Sequence, residues 1–177
     1  MNTSSRFIVA VHLLTVLAIR GKVKSGDMAW SVNTNPVVIR RILGALREAG
    51  LVHSQTGPHG GSTLAHAPEQ ITLRDVYDAV ESGTLFHPLY SDPAEACPIG
   101  SNIEDCMAVV FEETQAAVRE TLSTKTIAQI ANDILTRTGI KKLLLTGMTM
   151  DEIQERYRLQ DGIAVERTAT ATADQQG

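Results

Sequence analysis

The sequence is poor in aromatic residues and cysteine, and it has no long apolar run. Aromatic residues make up 4% of its 177 residues, which excludes the base-stacking surface of single-stranded nucleic-acid binders and predicts an aliphatic core. Two cysteines are too few for a secreted disulfide framework, and no segment approaches the roughly 18 apolar residues of a membrane span. The first residues lack the charged region and cleavage site of a signal peptide. We therefore expect a cytoplasmic protein with no membrane partner.

Charge is distributed unevenly along the chain. Residues 1–75 contain eight Lys or Arg and four Asp or Glu, a net charge of +4, so the remainder carries −8 within an overall charge of −4. With 43% hydrophobic and 20% charged residues, the chain fits one globular domain with extensions. A basic first part and an acidic second part suit a DNA-facing half joined to a half that does not touch phosphate.

The stretch from Asn33 to Gly50 predicts a capped helix with one charged side. Asn35 suits the N-cap, Pro36 suits the first helical position, and Gly50 suits the left-handed conformation that ends a helix. Apolar residues recur at three- and four-residue spacing and form one face, namely Val38, Ile39, Ile42, Leu43, Leu46 and Ala49. The arginines off that face or at its edge are Arg40, Arg41 and Arg47. One side of this helix packs, and the other offers positive charge.

Two helical patterns precede the capped helix. Residues 3–20 have the apolar pattern of a core helix, and residues 25–32 predict a short helix with Asp27 in its first turn. A break at Asn33 and Thr34 separates the short helix from the capped one. Two helices joined by about three turn residues form a helix-turn-helix, whose second helix enters the major groove of DNA.

A β-hairpin is predicted directly after the capped helix. Residues 51–56 and 62–66 are short alternating runs on either side of the glycine-rich segment 57–61. A hairpin at this place is a wing, and its tip would reach a flanking groove or phosphates through backbone N–H groups and His59. The glycines do not fit a phosphate-binding loop, because the Lys-Ser/Thr pair and a helix after the last glycine are missing.

The rest of the chain divides into four predicted parts. Thr72 and Asp75 form a capping box at the start of a helix that closes the winged domain. From Ile103 a helix of about five turns has an apolar stripe. This stripe needs a partner, and we expect the partner to be the same helix of a second subunit. In the extension, Thr149 and Glu152 cap a helix to about Leu159. The predicted organisation is a winged helix-turn-helix domain at 1–82, a sensor-type loop at 83–102, a dimerisation helix and short helix at 103–135, and an extension at 136–177 whose end is disordered.

Several segments of the chain, taken together, resemble a known protein family. They are Ser5-Arg6-Phe7 with Ala10-Val11-His12, residues 31–36 with 39–43, residues 49–52, Gly57 to Gly61 with Leu64-Ala65, Ile71-Thr72-Leu73, and Cys97-Pro98-Ile99-Gly100. Over about residues 3–135 the chain resembles the Rrf-type transcriptional regulators, the family that contains IscR, NsrR and CymR. The resemblance implies a dimeric winged helix-turn-helix repressor or activator. By position it implies a groove-reading helix at Asn35–Arg47, a wing tip at Gly57–Gly61 and a dimer helix at about Ile103–Leu122.

The candidate DNA contacts lie at the helix-turn-helix, the wing tip and the first helix. Arg40 and Arg41 are within two turns of the start of the capped helix, where a guanidinium can bind guanine O6 and N7 or clamp a phosphate. Arg47, beside Glu48, is equally explained as a solvated side chain, and Asn35 is either a cap or a contact. The full candidate set is Ser5, Thr34, Asn35, Pro36, Val37, Arg40, Arg41, His59 and Gly60.

The two cysteines depart from the family pattern. Cluster-binding members have three cysteines in the loop before the dimer helix, whereas this chain has only Cys97 and Cys106. An iron–sulfur cluster generally takes four ligands, so His87, Glu104, Asp105 or the second subunit would have to complete it. The spacing does not suit structural zinc either. We therefore expect no cofactor and no metal site, and two interpretations of the cysteines stay open: a thiol redox switch and ordinary packing.

The sequence thus predicts a mainly α protein with a two-stranded wing and a long dimerisation helix. Its predicted function is that of a homodimeric, sequence-specific regulator, a repressor, on a palindromic double-stranded operator, with a possible redox response through Cys97 and Cys106. The alternative is a winged-helix module that binds proteins without DNA. An enzyme is not predicted, because no nucleophile, base and orienting acid are grouped in the sequence. The effector stays unknown, and two roles stay open for the extension at 136–177: capping the dimer and binding an effector.

Overall fold

Helices and two short antiparallel hairpins make up the structure, a computed structural model that describes residues 3–57, 59–81 and 96–167. Two units divide between Ala128 and Gln129. Most of the predicted loop at 83–102, including His87, lies outside the described residues, as does the end of the extension from residue 168. The elements are α1 (Thr3–Arg20), α2 (Ser25–Val32), α3 (Pro36–Glu48), β1 (Val52–Gln55), β2 (Gly61–Leu64), α4 (Leu73–Val80), α5 (Gly100–Ser123), α6 (Ile127–Arg137), α7 (Ile140–Leu145), α8 (Met150–Arg156), β3 (Tyr157–Gln160) and β4 (Ile163–Glu166).

Helix α1 lies at the centre of the first unit and contacts α2, α3, α4 and β2. Its fully buried face consists of Ala10, Leu13 and Leu14, followed one turn later by Leu17. The core around it is mostly aliphatic, as the low aromatic content predicts, although Met28 and Tyr77 are also buried and Phe7 packs against the core. Among the described residues, none of the helices has both the length and the apolar character needed to cross a membrane.

The predicted helix-turn-helix is present, with the expected capping residues. Asn33 takes the left-handed conformation after α2, with a φ of 54°, and the Thr34 N–H donates to the Ala29 carbonyl at 2.9 Å. The Asn35 side-chain oxygen accepts the Val37 N–H at 2.8 Å, and Pro36 occupies the first position of α3. Beyond the end of α3, Gly50 has a φ of +74°, which favours glycine. This prediction is confirmed.

The wing is also present, and it is attached to the segment after α1. Strands β1 and β2 pair antiparallel from Val52 opposite Leu64 to Gln55 opposite Gly61. On its other side β2 pairs with Val23, whose N–H donates to the Ser62 carbonyl at 3.1 Å and whose carbonyl accepts the Ser62 N–H at 2.8 Å. This second pairing places the residues around Val23 beside the wing.

Helix α5 starts one turn earlier than predicted. Its first residue is Gly100 and not Ile103, because Ser101 Oγ donates to the Cys97 carbonyl at 3.0 Å and Asn102 Nδ2 donates to the Pro98 carbonyl at 2.9 Å. The backbone N–H of Ser101 donates to the same Cys97 carbonyl at 3.0 Å and that of Ile103 to the Ile99 carbonyl at 3.0 Å, so a helical turn is already formed before Ile103. The predicted capping box at the start of α4 is confirmed, since Thr72 and Asp75 cap each other reciprocally.

In the second unit, the residues from Tyr157 to Glu166 differ from the prediction. Helix α8 begins at the predicted capping box of Thr149 and Glu152 but ends at Arg156, and the expected helix to about Leu159 is wrong. Residues 157–160 instead form β3, which pairs with β4. Asp161 and Gly162 connect the strands with φ values of 51° and 78°, the conformation of a two-residue hairpin turn. The strand alternation and this turn outweigh helix propensity here.

Candidate nucleic-acid interface

Helix α3 has a buried face and two different exposed faces. Ile39, Ile42, Leu43 and Leu46 are buried against the core. With about 100° per residue, Val37 and Arg41 lie opposite those residues, while Arg40 and Arg47 lie on the flank between the two faces. The guanidinium-bearing residues are all exposed, and the Val37 side chain is 60% exposed. An apolar side chain and three cations are therefore presented to solvent by one helix.

A groove of about 530 Å³ lies between α3, the start of α2 and the wing. Its cationic side chains are Lys24, Arg40 and Arg47, and no Asp or Glu is among its lining residues. The wing contributes hydroxyl, amide and backbone groups from Ser54, Gln55, Thr56, Gly57, Gly60, Gly61 and Ser62. This combination of fixed positive charge and neutral hydrogen-bonding groups suits a polyanion.

The tip of the wing is a tight turn that requires a small residue at Gly60. The Gly60 N–H donates to the Gly57 carbonyl at 2.9 Å, and Gly57 itself has a φ of +102°. A Cβ on Gly60 would lie 2.4 Å from the Gln55 carbonyl oxygen and 2.8 Å from that of Gly57. Both neighbours are backbone atoms, so the turn would have to open. His59 is exposed beside this turn.

Comparison with known proteins gives the family. A profile described as "Rrf2: Iron-dependent Transcriptional regulator" matches residues 3–133, about three-quarters of the chain. The chain belongs to the Rrf2 family. The matched range contains α1 to α5, both strands of the wing and most of α6.

A curated relative and several solved structures are similar to this chain over most of its length. The Bacillus subtilis protein named "Putative HTH-type transcriptional regulator YwnA" is 34% identical over 131 residues, which cover 74% of this chain and 98% of that protein. A solved structure from Lactobacillus plantarum, described as a candidate transcriptional regulator, has a TM-score of 0.63 at 28% identity and covers 81% of this chain and 98% of that chain. CymR, the global cysteine regulator of B. subtilis, is similar in fold alone, with a TM-score of 0.53 at 22% identity over 75% of this chain and 97% of that chain. The Rrf2-family chain is accordingly a transcriptional regulator and not an enzyme.

The structure brings some of the predicted contact residues together. Arg40 and Gly60, predicted from separate motifs, line the same groove. Arg41 and Val37 lie on the outermost face of α3, and the Asn35 oxygen is engaged as a cap. The other candidates are distributed around these sites: Thr34 is half-buried in the turn, Pro36 is exposed at the start of α3, and Ser5 is exposed in the first turn of α1.

Two lysines near the wing were missed by sequence reasoning. Lys24 lines the groove, and Lys22 Nζ donates to the Gln55 side-chain oxygen at 3.3 Å. Both flank Val23, which pairs with Ser62 of β2, about 40 residues further along the chain. A contact between such distant segments produces no recognisable pattern in the sequence around the lysines. Arg47 also lines this groove. The sequence alone explains Arg47 equally well as a solvated side chain with no DNA contact.

The description of the Rrf2 family as iron-dependent can be tested on the donor groups of this chain. Cys97 and Cys106 are exposed free thiols. Within the ranges that the structure describes, no three His, Cys, Asp or Glu side chains converge as a metal site requires. Iron–sulfur clusters generally take four protein ligands, most of them thiolates. The donor groups that the structure describes in this Rrf2-family member therefore do not assemble a ligand set for such a cluster.

Cys97 has a local environment that favours the thiolate. The Gly100 N–H, at the start of α5, donates to Cys97 Sγ at 3.4 Å. Backbone N–H groups of Gly100 and Ile99 lower the pKa of the Cys97 thiol, because they stabilise the charged sulfur. The side chain is exposed, so solvent oxidants have access to it.

The wing turn gives a testable prediction for Gly60→Ala. We expect this substitution to lower the free energy of unfolding by about 1–3 kcal/mol, as overpacking against fixed backbone does, and to weaken DNA binding. Urea denaturation followed by circular dichroism measures the first effect. Gly26→Ala in α2 is the matched control, because a Cβ at Gly26 meets nothing within 4 Å. A Gly60→Ala protein as stable as the Gly26→Ala protein would contradict the assignment.

Proposed function

We propose that this Rrf2-family chain is a homodimeric repressor that binds a palindromic site in double-stranded DNA. The observation that carries the proposal is the exposed, positively charged side of α3, where Arg40, Arg41 and Arg47 stand clear of the core beside the wing. We expect Val37 and Arg41, opposite the buried face, to meet a thymine methyl group and the O6 and N7 acceptors of guanine. The N-terminal half of α3 would supply the base contacts, as in other helix-turn-helix proteins.

The sequence and exposure of α5 support the dimer. No residue of this 24-residue helix is buried in the single chain. Alternating four- and three-residue steps join the members of one stripe, which are Ile103, Met107, Val110, Thr114, Ala117 and Thr121. Such spacing is typical of the seam between two paired helices. Ile103 and Val110 are 39% and 47% exposed, so pairing with a second copy would remove apolar surface from water.

A symmetric dimer determines the kind of DNA site. Its two α3 helices are related by a two-fold axis and therefore fit two inverted half-sites whose centres are one helical turn, or a multiple of one turn, apart. A dimer that covers such a segment competes sterically with any other protein that needs the same duplex. We therefore assign repression as the regulatory outcome.

The proposal is tested by selecting duplexes from a random-sequence library with the full chain. We expect enrichment of inverted repeats and two chains bound per duplex, measured by sedimentation of the complex. Enrichment of unsymmetrical sites bound by one chain would contradict the dimer. Failure to bind any duplex, together with retention of a protein partner independently of salt, would favour the protein-interaction module instead.

We also propose that the regulator responds to peroxide through Cys97. The thiolate would attack hydrogen peroxide, a sulfur–oxygen bond would form as the peroxide bond breaks, and Cys97 sulfenic acid and hydroxide would be the products. Support comes from the hydrogen bond between the Gly100 N–H and Cys97 Sγ, because it ties this sulfur to the start of α5. Oxidation would alter that contact and, through α5, the separation of the two α3 helices.

The Cys97 thiol is expected to react faster than an ordinary cysteine. At pH 7 we expect limiting iodoacetamide to label Cys97 faster than free glutathione, because lowering of the Cys97 pKa increases the thiolate fraction. Peptide mass spectrometry gives the labelling rate. Peroxide should change DNA affinity in the parent and in Cys106→Ser but not in Cys97→Ser. A Cys97→Ser protein that responds like the parent would exclude the redox role.

A further inference from the structure

The wing of this protein has no lysine or arginine. Between Arg47 and Arg74 the sequence contains neither Lys nor Arg, so β1, β2 and the turn between them bring no ammonium or guanidinium group of their own to a phosphate. The wing nevertheless borders a groove that contains three cations. The charge beside the wing is therefore supplied by other segments.

One source is the segment after α1. The pairing of Val23 with β2 places Lys22 and Lys24 alongside the wing, and Lys22 Nζ reaches the Gln55 side-chain oxygen on β1 at 3.3 Å. A Cβ on Gly61 would lie 3.1 Å from Lys22 Cγ and 3.1 Å from the Val23 carbonyl oxygen. Glycine at this position thus leaves room for the Lys22 stem to cross β2 towards β1.

The second source is the flank of α3. Arg40 and Arg47 are seven residues apart, two turns along the same side of the helix, and both line the groove opposite the wing. Within the described ranges neither of them, nor Lys24, forms an ion pair, and the lining contains no carboxylate. Three like charges around one groove repel one another, and an anion between them would relieve that repulsion.

We infer that this groove is a phosphate-binding cleft for the DNA backbone, in which Lys24, Arg40 and Arg47, with Lys22 beside them at the wing, supply the lysine and arginine charge that the wing lacks. The inference rests on the proposed function and assigns base contacts and phosphate contacts to different residues. Arg41 and Val37, on the outermost face of α3, contact bases, whereas the groove cations bind one strand of the backbone and set the position of α3. The hydroxyl of Thr56, with the Gln55 amide, donates to the same phosphates from the wing side.

Salt dependence distinguishes phosphate contacts from base contacts. The test uses the full chain, one duplex enriched from the random library and one mixed-sequence duplex of equal length, with binding measured by fluorescence anisotropy across a series of NaCl concentrations. For Lys24→Gln/Arg47→Gln we expect the slope of log K against log salt to fall by about 2 for each protomer, since each phosphate contact contributes about 0.9. Affinity for both duplexes should fall by the same factor.

Two further variants make the result specific. Lys125→Gln/Lys142→Gln removes the same charge at exposed lysines outside the groove and should keep the parent slope. Arg41→Ala should reduce the preference for the enriched duplex and change the slope less than the groove variant does. An unchanged slope in Lys24→Gln/Arg47→Gln, or an equal fall in the lysine control, would overturn the cleft while DNA binding by the parent stands. If the parent bound neither duplex, the proposed function would fail first.

Discussion

Replacing Arg40 and Arg41 together by alanine is expected to abolish sequence-specific DNA binding without unfolding the protein. Both side chains are exposed on α3, and its core contacts come from other residues, so their removal leaves the packing intact. A good guanidinium contact to a base discriminates by about 1–3 kcal/mol, and a dimer would lose such contacts at both half-sites. We expect the affinity for an enriched duplex to fall by more than about 100-fold, which is roughly 3 kcal/mol.

Anisotropy titration at constant salt measures this loss, and urea denaturation checks the fold. Arg137→Ala/Arg158→Ala is the matched control, because it removes two exposed arginines from the second unit. The control changes neither α3 nor the wing, so it should bind within a factor of about three of the parent, since surface substitutions away from critical contacts usually change free energies by about 0.5 kcal/mol or less. An Arg40→Ala/Arg41→Ala protein with parent affinity would show that α3 does not read DNA.

Val110→Glu is expected to convert the proposed dimer to a monomer. Val110 lies in the α5 stripe and is 47% exposed in the single chain, so pairing would bury it against the second copy. Two carboxylates brought to the symmetry axis without partners would each incur a desolvation cost of several kcal/mol. Sedimentation velocity should give a monomer for Val110→Glu at concentrations where the parent is a dimer, and affinity for an inverted repeat should fall at least 100-fold.

Val109→Glu separates the stripe from the rest of the helix. Val109 is the same residue type one position earlier, is 58% exposed and lies about 100° around α5 from Val110, off the stripe. The Val109→Glu protein should remain a dimer with parent affinity. If both variants stayed dimeric, pairing through this stripe would be excluded; if both became monomers, the interface would involve a different face of α5.

The local parts of this fold were predictable because their causes are local. Asn35, Pro36 and Gly50 each satisfy a need of the helix end at which they stand, and the structure uses them there. The capping box at Thr72 and the glycine turn of the wing are similar cases. Single residues with one dominant conformational role give reliable predictions.

Two errors have different causes. The start of α5 at Gly100 depends on hydrogen bonds from Ser101 and Asn102, residues whose side chains compete equally well for turns and helix ends. The β3–β4 hairpin could have been predicted from the sequence. Asp161-Gly162 between two runs of alternating residues is a strong hairpin signal. The prediction instead extended the helix that begins after the Thr149 capping box as far as Leu159.

Only the part of the candidate site that lies on α3 could be predicted from the sequence. Exposed arginines on an amphipathic helix follow from its period, so Arg40 and Arg41 could be singled out. The contribution of Lys22 and Lys24 depends on the pairing of Val23 with Ser62, a contact between distant segments that is decided by the assembled core. A surface built from several segments emerges only when those segments have packed.

The most direct test of DNA reading by paired α3 helices is methylation protection of guanine N7 on an enriched duplex. The account predicts two protected major-groove segments whose centres lie one helical turn, or a multiple of one turn, apart, with protection lost at the specific guanines in Arg41→Ala. Tight binding with no protected guanine N7 on guanine-containing half-sites, or a single protected segment per complex, would contradict it.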